Sequence, residues 1–198
     1  MSAVRYVALG DSYTIGTSVT DAESWPSQLA ARLPEVQLVA NLAVNGYTSR
    51  DVIGRELPQL EGLRPDLVTL LIGVNDVVQG VPDAEYTANV HQLLDAIGRM
   101  VPATDLVCVA TPDYTATPSG ADYGDPVAQS DRIGGVNAIL RAACEARGIS
   151  FVPEIFEISQ GVVDDSTLVA SDGLHPSGAQ YALWTDAIEP VVRQALND

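Results

Sequence analysis

The apolar residues of this chain fall into two alternating patterns. Five short runs are apolar at most positions and predict β-strands at 4–9, 36–42, 67–72, 105–110 and 149–152. The run at 67–72 is apolar at nearly every position, which is typical of a strand covered on both faces. Between the runs, apolar residues recur every three to four positions and predict helices at about 25–33, 50–60, 83–100, 133–143 and 177–196.

Strand and helix alternate along the whole chain, an order that favours a parallel sheet with helices on both faces. We therefore expect an α/β protein, a three-layer α/β/α sandwich around a five-stranded parallel sheet. The 198 residues, 46% of them hydrophobic, are enough for one core. Because no linker, repeat or low-complexity segment interrupts the pattern, residues 1–198 are expected to form a single domain.

The net charge limits which classes of binding partner are expected. The formal net charge is −16, and all ten basic residues are arginines that form no basic stripe. Nucleic acid is therefore not expected as a partner, and the acidic surface indicates solubility rather than a site. The longest apolar runs have the length of a strand, which argues against a membrane span. The oligomeric state does not follow from the sequence.

The N-terminus and the two cysteines bear on the location of the protein. The first strand begins by Val4, which leaves no room for the charged and apolar regions of a signal peptide. Cys108 lies in an apolar run and Cys144 on a helix face, without the spacing of a disulfide framework. Two buried thiols are therefore expected. Together these features predict a cytoplasmic protein.

Ser12 follows the first predicted strand directly after a glycine and an aspartate. In open α/β sheets ligands bind beyond the carboxyl ends of the strands, so a hydroxyl there is a candidate nucleophile if a base is also present. Asp172 and His175 supply a candidate base, because positions i and i+3 face the same way in a turn. Asp172 can accept a hydrogen bond from one ring nitrogen and leave the other to take the proton of Ser12.

Both histidines also have a purely structural interpretation. Asp172 can cap the turn that follows it while His175 only packs there. His91 lies within a predicted helix beside its apolar stripe, and we expect it at the helix surface or boundary. His175 is therefore the candidate base.

An oxyanion needs fixed hydrogen-bond donors, and three candidates follow predicted strands. The N–H of Ser12, the N–H of Gly46 and the side-chain amide of Asn75 all lie on the expected carboxyl side of one sheet. The alternative is that Asn45-Gly46 and Asn75-Asp76 only form turns. Their shared position beyond one edge of the sheet favours the oxyanion hole.

Two further carboxylates neighbour these candidates. Asp11 and Asp76 would oppose an oxyanion if they faced it, so we expect both to accept hydrogen bonds from nearby backbone N–H groups. A metal site built from Asp11, Asp76, Asp172 and His175 is disfavoured, because it is poor in imidazole and lacks paired ligand spacing. No metal or cofactor is expected.

Four sequence blocks together resemble the SGNH (GDSL-type) hydrolases and occur in the order of that family. They are Gly10-Asp11-Ser12-Tyr13, Asn45-Gly46-Tyr47-Thr48-Ser49, Gly73-Val74-Asn75-Asp76 and Asp172-Gly173-Leu174-His175-Pro176. Two residues depart from the family pattern: Tyr13 replaces a small or acidic neighbour, and Val74 replaces a glycine. Val74 restricts the backbone more than a glycine does, and this affects the expected shape of the acyl pocket.

The resemblance implies a flavodoxin-like SGNH hydrolase fold and a serine esterase or acylhydrolase for a small-molecule ester. By resemblance Ser12 is the nucleophile, Asp172 and His175 complete the triad, and Ser12, Gly46 and Asn75 form the oxyanion hole. The alternatives are a carbohydrate O-deacetylase, a thioesterase or lysophospholipase, and, from another class, a non-catalytic glycan-binding module.

The connection after the fourth predicted strand, 111–128, lies on the same carboxyl side as Ser12 and is long enough to cover a site. It contains Tyr114 and Tyr123, three prolines and few aliphatic residues. We expect these tyrosines to contact the substrate and the site to prefer short acyl chains. The alternative is that the segment is a disordered surface connection.

Overall fold

The computed structural model describes residues 3–197 and contains one five-stranded sheet. Its order is β2-β1-β3-β4-β5, and every neighbouring pair is parallel. This is the order of flavodoxin-like doubly wound sheets, and it confirms the expected fold class. The strands are β1 (Val4–Gly10), β2 (Val36–Asn41), β3 (Leu67–Leu71), β4 (Leu106–Val109) and β5 (Ser150–Val152).

Helices flank the sheet, and a π-helical segment, Val52–Glu56, lies between the third and fourth of them. The helices are α1 (Ser12–Ile15), α2 (Trp25–Arg32), α3 (Ser49–Asp51), α4 (Leu57–Leu63), α5 (Val74–Val78), α6 (Asp83–Ile97), α7 (Pro126–Glu145), α8 (Ile155–Gln160) and α9 (Gly178–Ala195). Helix α2 packs on α9, and α6 packs on α7. Among residues 3–197, no helix is long and apolar enough to cross a membrane.

The centre of the sheet is covered on both faces. All residues of β3 and β4 are buried, as are residues 6–10 of β1. Strands in this position need apolar side chains in both directions, which explains the continuous apolar runs in the sequence. Cys108 and Cys144 lie in this core as free, buried thiols, as expected.

The topology places the ends of β1 and β3 side by side. These strands are hydrogen-bonded neighbours, with Gly10 opposite Leu71 at their carboxyl ends. The chain leaves β1 for β2 on one side and later returns to β3 on the other, so the strand order reverses at this point. A crevice forms where the order of a doubly wound sheet reverses, and residues 11–12 and 73–76 border it.

The structure differs from the sequence expectations in three segments. Asn75 lies in the short helix α5, in a segment where the apolar pattern predicts no helix. The connection expected over 111–128 ends at Asp125, because that carboxylate caps α7 by accepting from the N–H of Ala128 at 2.8 Å. The stretch before Asp172, where the apolar pattern predicts no helix, contains α8, whose Ile155 is buried in the core.

Candidate active site

The turn that presents Ser12 depends on a close approach between two strands. Gly10 has a φ of +153°, and a Cβ atom there would overlap the carbonyl oxygen of Leu71. Only glycine therefore fits at the end of β1. The Asp11 side chain then caps α1 by accepting from the N–H of Tyr13 at 3.0 Å. Ser12 is the first residue of α1 and lines the cavity above it.

Asp172 and His175 are joined as the i, i+3 spacing predicts. Nδ1 of His175 lies 2.6 Å from Oδ2 of Asp172. The other carboxylate oxygen accepts from the N–H groups of Leu174 and His175 at 2.9 and 3.0 Å. Because Nδ1 is engaged with the carboxylate, Nε2 is the ring nitrogen available to the cavity that His175 lines.

Two aromatic rings pack in sequence next to the imidazole of His175. The Tyr13 ring centroid lies 5.1 Å from that of His175 at an interplanar angle of 48°, and it stacks on Trp184 of α9 at 6.3 Å. Tyr13 is one of the two residues that depart from the family pattern. Its ring packs against the imidazole of His175.

Ser18 is a further partner of Asp172 that the sequence analysis missed. Its hydroxyl donates to Oδ2 of Asp172 at 2.6 Å. Ser18 has a φ of +68°, a left-handed conformation that is uncommon for a residue with a side chain. Next to it, the Thr17 hydroxyl donates to Oδ1 of Asn45 at 2.5 Å. The loop after α1 therefore connects Asp172 to the loop that carries Gly46.

These contacts keep Asp172 ionised. Partial burial opposes ionisation, but hydrogen bonds from Ser18, from His175 and from two backbone N–H groups outweigh it. They hold the pKa of Asp172 well below its ordinary value. A carboxylate beside Nδ1 holds the imidazole in one tautomer and stabilises its protonated form.

Ser12 and His175 line one cavity of about 200 Å³ together with all the other residues predicted for the site except Asp172, which lies behind His175. No hydrogen bond joins the Ser12 hydroxyl to the imidazole in this structure. Bonds of this kind are often long in a site without substrate. The cavity walls also include Tyr13, Asn45, Val74, Val78 and Leu174.

Gly46 occupies a tight turn at the cavity edge. The N–H of Tyr47 donates to the carbonyl of Val44 at 3.2 Å, and Gly46, with a φ of +80°, is the third residue of this turn. The N–H groups of Gly46 and Ser12 have no hydrogen-bond acceptor among residues 3–197. Both are therefore free to donate to a ligand in the cavity.

The Asn75 amide is held in place by the same loop. Its Nδ2 donates to the carbonyl of Tyr47 at 2.9 Å and lies 3.5 Å from Oδ2 of Asp11. One amide hydrogen thus fixes the side chain, while the other makes only a long contact. The structure brings the three predicted donors, Ser12, Gly46 and Asn75, to one cavity wall.

Asp11 and Asp76 bind backbone N–H groups, as expected. Asp76 accepts from the N–H and the hydroxyl of Ser49 at 2.9 and 2.6 Å. Burial raises the pKa of Asp76, and it raises the pKa of Asp11 to about 7 against the hydrogen bond from Tyr13. Within the described part of the chain, no three His, Cys, Asp or Glu side chains are arranged to hold a metal ion.

The connection after β4 is an ordered wall of the cavity. Asp113 anchors it by accepting from Thr115, Ser130 and Gln160 at 2.6 to 3.1 Å. The rings of Tyr114 and Tyr123 meet edge to face at 5.6 Å and both line the cavity, Tyr114 buried and Tyr123 42% exposed. The N–H of Ser119 also donates to the carbonyl of Gly173 at 2.9 Å, so this wall braces the segment that carries His175.

Replacing Ser18 by alanine should raise the pKa of Asp172 toward its ordinary value. The change removes one of the hydrogen bonds that favour the ionised form. A carbon-13 NMR titration of the Asp172 carboxyl measures the pKa. Thr17→Val is the matched control, because the Thr17 hydroxyl binds Asn45 and should leave this pKa unchanged. An unchanged pKa in Ser18→Ala would contradict the assigned contact.

Known proteins share both the sequence pattern and the fold. The model of the GDSL-like Lipase/Acylhydrolase family matches residues 8–183. A GDSL lipase of Mycobacterium tuberculosis (strain ATCC 25618 / H37Rv) is 29% identical over 202 residues, which cover 95% of this chain and 81% of that protein.

Two solved structures share the fold at lower sequence identity. An α/β hydrolase enzyme from the metagenome of Lake Arreo, Spain, has a TM-score of 0.74 and 21% identity, with 98% of each chain covered. An acetylxylan esterase from Geobacillus stearothermophilus has a TM-score of 0.74 and 19% identity, with 96% of this chain and 94% of that chain covered. The family match runs from β1 into α9. This chain therefore belongs to the GDSL-like lipase/acylhydrolase family and is a carboxylic ester hydrolase.

Proposed function

We propose that the protein cleaves esters through an acyl-enzyme formed on Ser12, with His175 as general base and Asp172 as its orienting carboxylate. The observation that carries this proposal is the 2.6 Å contact between Nδ1 of His175 and Asp172, in a cavity wall that also contains Ser12. The contact leaves Nε2 as the only ring nitrogen that can accept the Ser12 proton.

The reaction then has two halves. Nε2 of His175 takes the proton of Ser12 as the hydroxyl oxygen attacks the acyl carbonyl, and Asp172 stabilises the imidazolium. His175 returns the proton to the leaving alcohol, which departs and leaves the acyl group on Ser12. A water molecule then attacks the acyl carbonyl while His175 takes its proton; the bond to the Ser12 oxygen breaks, His175 returns the proton to Ser12, and the acid leaves.

The developing oxyanion requires donors that are in place before the reaction. The free N–H groups of Ser12 and Gly46 supply two of them. The third is the Asn75 amide hydrogen that makes only the 3.5 Å contact with Asp11, while the other stays bound to Tyr47. Donors held by the backbone need no reorganisation when the charge appears.

The cavity favours a short acyl group of roughly two to six carbons. Its volume of about 200 Å³ is below the usual range of roughly 300–1,000 Å³ for sites of drug-sized ligands. Each further buried methylene contributes only about 0.8 kcal/mol and needs apolar wall to do so. Val74, Val78 and Leu174 supply that wall over a limited area.

A carbohydrate O-deacetylase is the second candidate, and the exposed ring of Tyr123 favours it. A flat aromatic surface at the rim of the cavity suits a cyclic leaving group. Nothing in the site favours a thioesterase or lysophospholipase over an esterase. A non-catalytic glycan-binding module would not need the Asp172–His175 contact beside Ser12.

Ser12→Ala should abolish ester hydrolysis with little change in the free energy of unfolding. Loss of a triad nucleophile lowers kcat by a factor on the order of 10⁶. The measurement is kcat on p-nitrophenyl acetate, with urea unfolding as the control for the fold. Activity within tenfold of the wild type would remove Ser12 from the mechanism.

Asn75→Ala should lower kcat by roughly 10²–10³ with a small effect on KM, because an oxyanion donor acts mainly in the transition state. Steady-state kinetics on the same ester separate the two constants. Gln59→Ala is a suitable control, since its exposed amide donates to the carbonyl of Arg55 and does not line the cavity. A raised KM with unchanged kcat would instead make Asn75 a substrate-binding residue.

The acyl-chain preference should have its maximum between about two and six carbons. A series of p-nitrophenyl esters from acetate to palmitate gives kcat/KM for each length. Tyr123→Ala should change the values for long chains more than the value for acetate, since Tyr123 lies at the rim. A maximum at eight carbons or more would contradict the preference for short chains.

A further inference from the structure

Glu56 is a buried acidic residue that the proposed mechanism does not use. It is 0% exposed and ends the π-helical segment between α3 and α4. The sequence predicts a regular helix over this segment. That pattern gives no reason for a carboxyl group at position 56, among the apolar residues Val52, Leu57 and Leu60. Charged residues are rarely fully buried without a partner, so Glu56 requires an explanation.

The partner of Glu56 is the backbone just before the nucleophile. Its Oε2 accepts from the N–H of Gly10 at 3.0 Å. Gly10 is the last residue of β1 and stands two positions before Ser12. The other oxygen, Oε1, is buried and has no hydrogen-bond partner among the described residues. The carboxyl is therefore committed to one contact, which lies at the turn that carries Ser12.

The π-helical geometry brings Glu56 to this position. The N–H of Leu57 bonds to the carbonyl of Val52, five residues earlier, so the helix contains one wide turn. Glu56 and Leu57, at the end of this wide turn, are both buried. Leu57 joins the core, and the carboxyl of Glu56 reaches the backbone of Gly10.

The protonation of the Glu56 carboxyl is compatible with its place as a hydrogen-bond acceptor in the core. The pKa of Glu56 is raised to about 8, chiefly by burial; the hydrogen bond from Gly10 opposes this shift, and the negative charges of Asp11 and Asp51 add to it. The neighbouring Arg55 contacts Asp51, at 3.5 Å, and not Glu56. The raised pKa favours the protonated form of Glu56 near neutral pH, in which its oxygen accepts without a buried negative charge.

We propose that Glu56 is a positioning residue for ester hydrolysis, whose carboxyl oxygen holds the N–H of Gly10 and thereby fixes the turn that carries Ser12. This inference rests on the proposed role of Ser12 as nucleophile. Without the acceptor, the Gly10 N–H would be buried and unpaired, and the turn would shift to reach another partner. A small displacement of a nucleophile lowers kcat more than it changes substrate binding.

Two substitutions at Glu56 separate the hydrogen bond from packing. Glu56→Gln keeps the shape and an acceptor oxygen, and should retain kcat within about threefold. Glu56→Met keeps similar volume but accepts only weakly, and should lower kcat at least tenfold with KM within about twofold. Equal kcat in the wild type and Glu56→Met would overturn the proposal, as would an equally large loss in Glu56→Gln.

Leu60→Ala is the matched control for a general loss of stability. Leu60 is buried on the same helical layer and lies one helical turn beyond Glu56. It should lower the urea midpoint at least as much as Glu56→Met while leaving kcat near the wild-type value. A parallel loss of kcat in Leu60→Ala would show that kcat only follows stability, and would overturn the positioning role.

Two readouts do not depend on the identity of the nucleophile. Amide hydrogen exchange at Gly10 should be faster in Glu56→Met than in Glu56→Gln, and equal rates would overturn the contact. Between the ordinary glutamate pKa and about 8, the folded state binds one more proton than the unfolded state, so wild-type stability falls as pH rises. Glutamine does not titrate, so the stability of Glu56→Gln should fall less than that of the wild type over this pH range. If Ser12→Ala were active while both readouts held, the contact would stand and the proposed function would fail.

Discussion

The close approach of β1 and β3 at Gly10 is the constraint on which the rest of the site depends. A Cβ atom at Gly10 would overlap the carbonyl of Leu71, so the chain can turn here only without a side chain. This turn starts α1 at Ser12, beside the segment after β3 that carries Asn75. Ser12 and the Asn75 amide therefore line the same cavity because two neighbouring parallel strands end together.

Three buried carboxyls maintain the loops around that turn. Asp11 accepts from Tyr13, Glu56 from Gly10 and Asp76 from Ser49, each through a backbone N–H. Burial raises the pKa of all three. Backbone contacts of this kind fix the path of each loop and leave the loop side chains free for chemistry. The buried carboxyls thus hold the loops of the site in place, while Tyr123 at the rim of the cavity is exposed.

The fold could be predicted from the sequence, and so could the position of the candidate site residues beside one another, because both follow from local patterns. Buried parallel strands have continuous apolar runs, and Ser12 and Asn75 come shortly after two of them, β1 and β3, while Gly46 lies in the loop after the half-buried β2. The contacts made by Ser18 and Glu56 could not be predicted in this way. Ser18 meets Asp172 across 154 positions and Glu56 meets Gly10 across 46, so only the tertiary structure brings either pair together. The wide π turn at Glu56 also has no periodic signal in the sequence.

The central claim is that Ser12 carries the acyl group, and covalent labelling tests it most directly. A fluorophosphonate reacts with an activated serine hydroxyl and leaves a stable adduct. Cleavage at arginine releases residues 6–32, which contain Ser12 together with Ser18, Ser24 and Ser27. Fragment-ion mass spectrometry then identifies the modified position. We expect one adduct per chain, on Ser12, and none after His175→Ala; an adduct on any other residue would contradict the mechanism.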